Sequence, residues 1–220
     1  MRAKFDEQLH MLNQEMMHMG SMIEDKIQKA IEALIGQNSV LAKEIMEADN
    51  EVDREQKKIE NICFNLLMQQ QPVARDLRVI SAAMKMVTDM ERIGDHAENV
   101  ADAARQRKEE GVSISKEAQK ELGDMLEMVN KIIRYAVEMF AKSDESHMQE
   151  IVTLEDQVDE KERELQKKHV ERLTKGECSP EAGMIFSDIV SGLERVADHA
   201  TNIAFAITTE EDAEDGDTKR

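Results

Sequence analysis

Apolar residues recur every three or four positions along most of the chain, which is the spacing that places side chains on one face of an α-helix. The first of these apolar stripes consists of Phe5, Leu9, Leu12, Met16, Met19, Ile23, Ile27, Ala30 and Leu34. Similar stripes follow it, and short breaks rich in Gly, Ser, Gln or Pro separate them. The pattern predicts an all-α protein with six long helices, which run over about 5–34, 40–68, 72–108, 116–140, 146–174 and 180–207.

The second half of the chain repeats the first. The stretch ERIGDHAENVA at 91–101 returns as ERVADHATNIA at 194–204. Pro72 and Pro180 each stand at the start of the third helix of their half, where a helix does not need the donor that proline lacks. Short links make neighbouring helices antiparallel. We therefore predict an internal duplication, with two similar three-helix bundles over 1–110 and 111–208 and an acidic, disordered tail over 209–220.

Acidic residues four positions apart occur on the second and third helices of each half. Residues at this spacing lie on one side of a helix, one turn apart. If these two helices pack with their acidic rows facing, four carboxylates converge. Oxygen-rich clusters bind hard cations such as magnesium, manganese or iron, and zinc is tolerated; the alternative is a solvated acidic face. The predicted ligands, with one asparagine in each half, are Asp49, Asp53, Glu91, Asp95 and Asn99, and Glu155, Asp159, Glu194, Asp198 and Asn202.

A histidine and an arginine accompany the acids of each third helix. His96 and His199 directly follow the aspartate, about 100° around the helix from it. We expect these histidines to pack or to form hydrogen bonds rather than to bind a metal. Arg92 and Arg195 directly follow the glutamate, and we expect them to form ion pairs with neighbouring acids.

The charge balance is strongly acidic, because 47 Asp and Glu residues stand against 29 Lys and Arg, for a formal net charge of −18. This excludes a role in nucleic-acid binding, which needs clustered Lys and Arg. Cys63 and Cys178 form no CxxC pair and fit a reducing compartment. No apolar run has the length of a membrane span, and the N-terminus has no apolar signal core. We expect a cytoplasmic protein that reaches the membrane only through its partners.

The sequence contains no arrangement typical of an enzyme's active site. Di-iron carboxylate enzymes use Glu-x-x-His pairs on different helices, whereas Glu7/His10 and Glu15/His18 all lie on the first helix. A nucleophile elbow, a phosphate-binding glycine loop and a Ser/His/Asp pattern are also missing. We predict a protein that binds rather than catalyses. A helical scaffold without metal and a carboxylate–metal enzyme stay open as alternatives.

Three motifs resemble those of the PhoU family: QQPVARDLR at 70–78, ERIGDHA at 91–97 and LERVADHA at 193–200. The resemblance covers about residues 5–207. It implies six helices in two three-helix bundles, with metal clusters at a Glu/Asp-x-x-x-Asp signature that matches the four acidic pairs above. It also implies a negative regulator of phosphate uptake and of the phosphate-starvation response. The implied partners are the ATPase of the phosphate ABC transporter and a phosphate-sensing histidine kinase, and we expect a homodimer.

Overall fold

The computed structural model describes residues 2–70 and 74–208, and every regular element within those ranges is an α-helix. The helices are α1 (Arg2–Gly36), α2 (Ser39–Glu47), α3 (Asp49–Gln70), α4 (Ala74–Glu109), α5 (Lys116–Lys142), α6 (Met148–Thr174) and α7 (Pro180–Phe205). The all-α fold and the long helices that the periodicity predicts are confirmed. The acidic tail over 209–220 and the proline at position 72 lie outside the described residues.

The helix predicted over about 40–68 is divided in two at Ala48. The carbonyl of Ala48 accepts a hydrogen bond from the amide of Glu51, only three residues further on, so the regular four-residue bonding is interrupted. Asp49 and Asn50, which follow the break, are residue types that favour helix starts over helix interiors. Because α2 and α3 pack against the same two helices, α1 and α4, the pair takes the place of one helix in the first bundle.

Local capping fixes the start of the last helix. The hydroxyl of Ser179 accepts a hydrogen bond from the amide of Ala182, and Pro180 is the first residue of α7, as the sequence predicts. Gly176 closes the turn after α6 with a φ of +69°, a conformation that glycine adopts without strain. Ser115 caps α5 in the same way as Ser179 caps α7. Both helices therefore begin with a satisfied first turn.

Each half forms a bundle with an apolar core. The first bundle consists of α1, the pair α2–α3, and α4, and the second consists of α5, α6 and α7. Positions that match between α4 and α7 are equally buried, with no exposed surface on Met90, Ile93, Leu193 or Val196. The repetition seen in the sequence is therefore also a repetition of core positions.

The two bundles share a long interface, in which α1 packs against α5 and α4 packs against α7. Asn130 donates a hydrogen bond to Gln28 at 3.0 Å, and Arg134 donates one to Glu24 at 2.8 Å. Residue numbers thus rise along α1 as they fall along α5, so these helices are antiparallel.

No helix in the described ranges combines the length and the apolarity that crossing a bilayer requires.

Candidate metal centre

The α6–α7 hairpin brings three of the predicted carboxylates together. Glu155 and Asp159 lie one turn apart on α6, and Asp198 lies on α7. Each of them can offer one oxygen atom, and the three atoms lie within 4.8 Å of one another. Val158 and Val196, on the inward faces of the same helices, are completely buried. Core packing therefore holds the two helices side by side, with the acids at the edge of the core.

Glu194 belongs to the same acidic group, and its surroundings disfavour its charge. Burial, and after it the neighbouring charges of Asp198, Glu162 and Asp159, raise the pKa of Glu194 to about 7. Burial and the charge of Asp159 also raise the pKa of Asp198 above its ordinary value. Carboxylates that repel one another are stabilised by a proton or a cation among them. The cluster is therefore suited to receive positive charge.

Glu162 is a further acid at this cluster, and sequence reasoning misses it. It follows Asp159 by three residues, so it continues the acidic row of α6 by another turn. Its charge raises the pKa of both carboxyl groups on α7, and its carboxylate accepts a hydrogen bond from the hydroxyl of Ser191 at 2.8 Å. The regular spacing of acids along α6 could have indicated Glu162. Comparison of the two halves does not indicate it, because the matching residue in the first half is Gln56.

The matching acids of the first half have different surroundings. Nε of Arg92 lies 3.7 Å from a carboxylate oxygen of Glu91, and Nη1 lies 3.5 Å from one of Asp95. The ion pairs expected of Arg92 are thereby confirmed, and the acidic pair on α4 has a positive partner. Asp53 is half-buried on α3, and the side chain of Asp49 lies outside the described residues. Among the side chains that are described, a group of three acids able to share one ion forms in the second half alone.

Arg195 differs from its counterpart Arg92. It forms no ion pair with any described residue, contrary to the expectation for this position, and lines a cleft of about 330 Å³ between α4 and α7. The charge of Arg195 lowers the pKa of Glu194, but burial and the three neighbouring carboxylates have the larger effect and raise it. The two halves therefore repeat the same acids in unequal electrostatic environments.

The two predicted asparagine ligands lie on α4 and α7, the helices that carry the predicted acids Glu91, Asp95, Glu194 and Asp198. Asn99 lines the same cleft between α4 and α7, next to His96 and Asp188. Asn202 is exposed on the last turns of α7. Both stay predictions as metal ligands.

His199 connects the two halves. Its Nδ1 atom lies 2.8 Å from Oδ1 of Asp89, which belongs to α4. The ring of His96 lies 5.9 Å from that of His199, and burial, followed by the charges of His199 and Arg195, lowers the pKa of His96. The hydrogen-bonding role expected of His199 is confirmed. Sequence reasoning misses Asp89, because nothing local marks a partner 110 residues away in the chain.

The second-half cluster has the chemistry that hard cations need. Its donors are carboxylate oxygens, which magnesium, manganese and iron accept as ligands. Oxygen ligands lie roughly 2–2.6 Å from such ions, and hence up to roughly 4–5 Å from one another. The three oxygen atoms of the cluster lie within 4.8 Å of one another, which is compatible with that separation. The residues present therefore fit a metal ion.

Comparison with known proteins identifies the family. The family model described as the PhoU domain matches the chain twice, over residues 16–104 and 122–207. The chain belongs to the PhoU family. The resemblance that the three sequence motifs indicate is thereby confirmed.

Named PhoU relatives cover nearly the whole chain. The phosphate-specific transport system accessory protein PhoU homolog 1 of Thermotoga maritima is 30% identical over 90% of this chain and 85% of its own length. The PhoU homolog of Pseudomonas aeruginosa is 32% identical over 91% of this chain and 82% of its own. These relatives are similar to the chain in both halves rather than in one.

Solved PhoU structures have the same fold. PhoU from Pseudomonas aeruginosa superposes with a TM-score of 0.86 at 30% identity, covering 92% of this chain and 96% of that one. The phosphate transport system regulatory protein PhoU from Streptococcus pneumoniae gives a TM-score of 0.83 at 28% identity, covering 92% and 94%. The helical-bundle architecture is thus shared with members of the PhoU family.

Proposed function

We propose that this protein is a negative regulator of phosphate uptake and of the phosphate-starvation response. It acts by binding the ATPase of the phosphate ABC transporter and a phosphate-sensing histidine kinase, with no catalytic turnover of its own. The observation that carries the proposal is the double match to the PhoU domain. Relatives matched over most of the chain are named as accessory proteins of phosphate-specific transport.

Deletion of the gene tests the regulatory role. We expect a deletion strain to express phosphatase at a high level in abundant phosphate, because the response is no longer restrained. A plasmid copy of the gene should restore repression, and tagged protein should recover the ATPase or the kinase from membranes of phosphate-replete cells. Normal repression in the deletion strain would contradict the proposal.

We place the protein in the cytoplasm, as a homodimer that meets the membrane only through its partners. A net charge of −18 supports this placement, since anionic lipid surfaces repel acidic proteins. Light scattering of the purified protein should give twice the chain mass of 25.1 kDa. A mass of one chain at all concentrations would exclude the dimer.

We further propose that the acidic cluster of the second half binds a hard cation. Glu155, Asp159 and Asp198 are the proposed ligands there, with Glu194 beside them. Iron, zinc, magnesium and manganese are the candidate ions. The bound ion supplies positive charge that offsets the repulsion between α6 and α7. The counterpart proposed for the first half consists of Asp49, Asp53, Glu91 and Asp95, and the further oxygen ligands proposed for the two halves are Asn99 and Asn202.

Chelation tests the metal proposal. A chelator should lower the melting temperature of the parent protein, because an ion that binds only the native state adds about 2.7 kcal/mol at a hundredfold excess over its Kd. The double variant Glu155→Gln, Asp159→Asn should contain less metal by elemental analysis and respond less to chelator. Asp156→Asn is the matched control, because Asp156 is exposed on the same helix. If the parent contains no metal and chelator has no effect, the scaffold without metal is the correct alternative.

A further inference from the structure

Three polar side chains connect Glu162 across the contact between α6 and α7. The hydroxyl of Ser191 donates a hydrogen bond to Oε1 of Glu162 at 2.8 Å, and the oxygen of the same hydroxyl accepts one from Nε2 of Gln166 at 3.3 Å. Gln166 in turn accepts a hydrogen bond from the hydroxyl of Ser187 at 2.7 Å. We call these four residues the α6–α7 polar row. Because each bond orients the next group, the row fixes the position of the Glu162 carboxylate.

The polar row leads directly to the acidic cluster of the second half. Glu162 meets Ser191, and four residues later on α6 Gln166 meets the residue four positions earlier on α7. The same register, continued by one turn in the other direction, brings Asp159 to Glu194. Besides burial and the charge of another carboxylate of the cluster, the charge of Glu162 raises the pKa of Glu194. Glu162 thus lies one turn from the cluster and interacts with it electrostatically.

Glu162 has no positive partner among the described residues. Its Oε1 atom accepts the hydrogen bond from the uncharged hydroxyl of Ser191, and its Oε2 atom accepts none from any residue within the described ranges. The side chain is half-buried, so water screens its charge only in part. One oxygen is therefore held by the protein, and the other is left for a cation or for a water molecule bound to a cation.

The sequence of the first half has different residues at two of these positions. Gln56 stands where α6 has Glu162, 106 residues later, and Met84 stands where α7 has Ser187, 103 residues later. An amide carries no charge, and a methionine has no hydroxyl to donate. The extension of the acidic row by Glu162 is therefore specific to the second half.

We propose that Glu162 strengthens cation binding by the second half, and that Ser191 is a positioning residue that holds the Glu162 carboxylate beside the acidic cluster. The ion is a hard divalent cation, to which a further carboxylate adds favourable charge directly or through a bound water. This inference rests on the proposed function of the cluster in binding such a cation, since it adds a residue to that site. The second half therefore binds the ion more tightly than the first, although both halves carry the same pattern of four acids.

Calorimetric titration of the metal-free, full-length chain with manganese(II) tests the role of Glu162. The background variant Glu91→Gln, Asp95→Asn removes candidate ligands of the first half, so that the titration reports on the second half. Adding Glu162→Gln should raise the Kd for manganese by roughly tenfold or more, the usual effect of losing a group that supports a metal site. In chelator the same change should not lower the melting temperature, because it removes a repelling charge and keeps the shape of the side chain.

Variants of Ser191 test the positioning role. Ser191→Ala should raise the Kd by roughly threefold to tenfold, because the Glu162 carboxylate loses the hydrogen bond that orients it. Ser191→Thr should bind manganese as the background does, since threonine keeps the hydroxyl. In the presence of Glu162→Gln, Ser191→Ala should have little further effect, because the two residues act on the ion together.

The matched control is Glu160→Gln, which removes an exposed carboxylate from the same helix and should change the Kd by less than about twofold, because water and salt screen its charge. If the background binds manganese and Glu162→Gln binds it equally well, this inference is wrong while the metal proposal stands. An effect of Ser191→Ala that persists undiminished beside Glu162→Gln would overturn the positioning role. If the parent binds manganese and the background does not, the ion belongs to the first half, which also overturns the inference. If neither binds it, the metal proposal and this inference fail together.

Discussion

Glu194 lies in an environment that opposes its charge, because burial is combined with three neighbouring carboxylates. Its pKa of about 7 in the folded protein exceeds the ordinary value of 4.5. A group whose pKa rises on folding contributes stability while it is protonated. The contribution is complete below pH 4.5 and is lost as the pH rises through 7.

We therefore expect Glu194→Gln to stabilise the metal-free protein at pH 8, by about 1–2 kcal/mol after allowance for the solvent screening of a half-exposed group. At pH 4.5 the variant and the parent should have similar stability, because the carboxyl of the parent is then protonated in the native state. Urea unfolding in chelator-containing buffer at the two pH values measures the difference. Glu127→Gln, at an exposed position on α5, should show no such dependence, and an equal response of the two variants would contradict the assignment.

Residues of the same type can have different roles in the two halves. Arg92 pairs with the acids next to it, whereas Arg195 turns to the cleft between α4 and α7. Their sequence contexts, ERIGD and ERVAD, are nearly the same. The local sequence therefore predicts an arginine beside the acids but not whether it neutralises them.

At the scale of helices, Gly20 allows α1 and α5 to approach closely. A Cβ atom at this position would lie 2.8 and 2.9 Å from the two γ-carbons of Val137. A valine side chain has little rotamer freedom in a helix, so the helices would have to move apart. Gly20→Ala should destabilise the protein by about 1–3 kcal/mol, as measured by urea unfolding.

Gly123→Ala is the control for this prediction, because a Cβ atom there has no neighbour within 4 Å. Replacing glycine by alanine in a helix interior should stabilise the folded protein by up to about 1 kcal/mol. Adding Val137→Ala to Gly20→Ala should recover part of the lost stability. Equal effects of the two glycine substitutions would show that helix propensity, rather than the contact between α1 and α5, decides the result.

At the scale of the molecule, the interface between the bundles should make them unfold together. Ile59 of α3 and Leu165 of α6 occupy matching core positions, and both are completely buried. Ile59→Ala and Leu165→Ala should each lower the free energy of unfolding by about 2–5 kcal/mol. Because α1 packs on α5 and α4 on α7, either substitution should shift one common transition.

Tyr135 allows the two halves to be distinguished, since it is the chain's single tyrosine, lies on α5, and no tryptophan is present. Its fluorescence should change together with the far-ultraviolet circular dichroism, and Ile59→Ala in the first bundle should shift both signals equally. A Tyr135 transition that stays in place while half of the helical signal is lost earlier would show that the bundles unfold independently.

The sequence by itself determines the helices and the duplication. An apolar residue every three or four positions can be buried in one continuous stripe only by a helix, so α5, α6 and α7 begin and end within two residues of the predicted bounds. The stretch at 91–101 and its copy at 194–204 are enough to indicate the repeat and the family. The break at Ala48 is not predicted from the sequence. It changes the hydrogen bonding of one turn only, and the apolar stripe over 40–68 continues across it.

Only the tertiary structure decides which acidic residues meet. Spacing places Glu155 and Asp159 on one face of α6, but their approach to Asp198 depends on how α6 packs on α7. The bond between Asp89 and His199 likewise depends on the packing of α4 against α7. The periodicity of apolar residues describes one helix at a time. The electrostatic environment of an acidic side chain depends also on neighbouring helices, whose residues are distant in the chain. For this reason the sequence predicts equal sites in the two halves, and the structure makes their surroundings unequal.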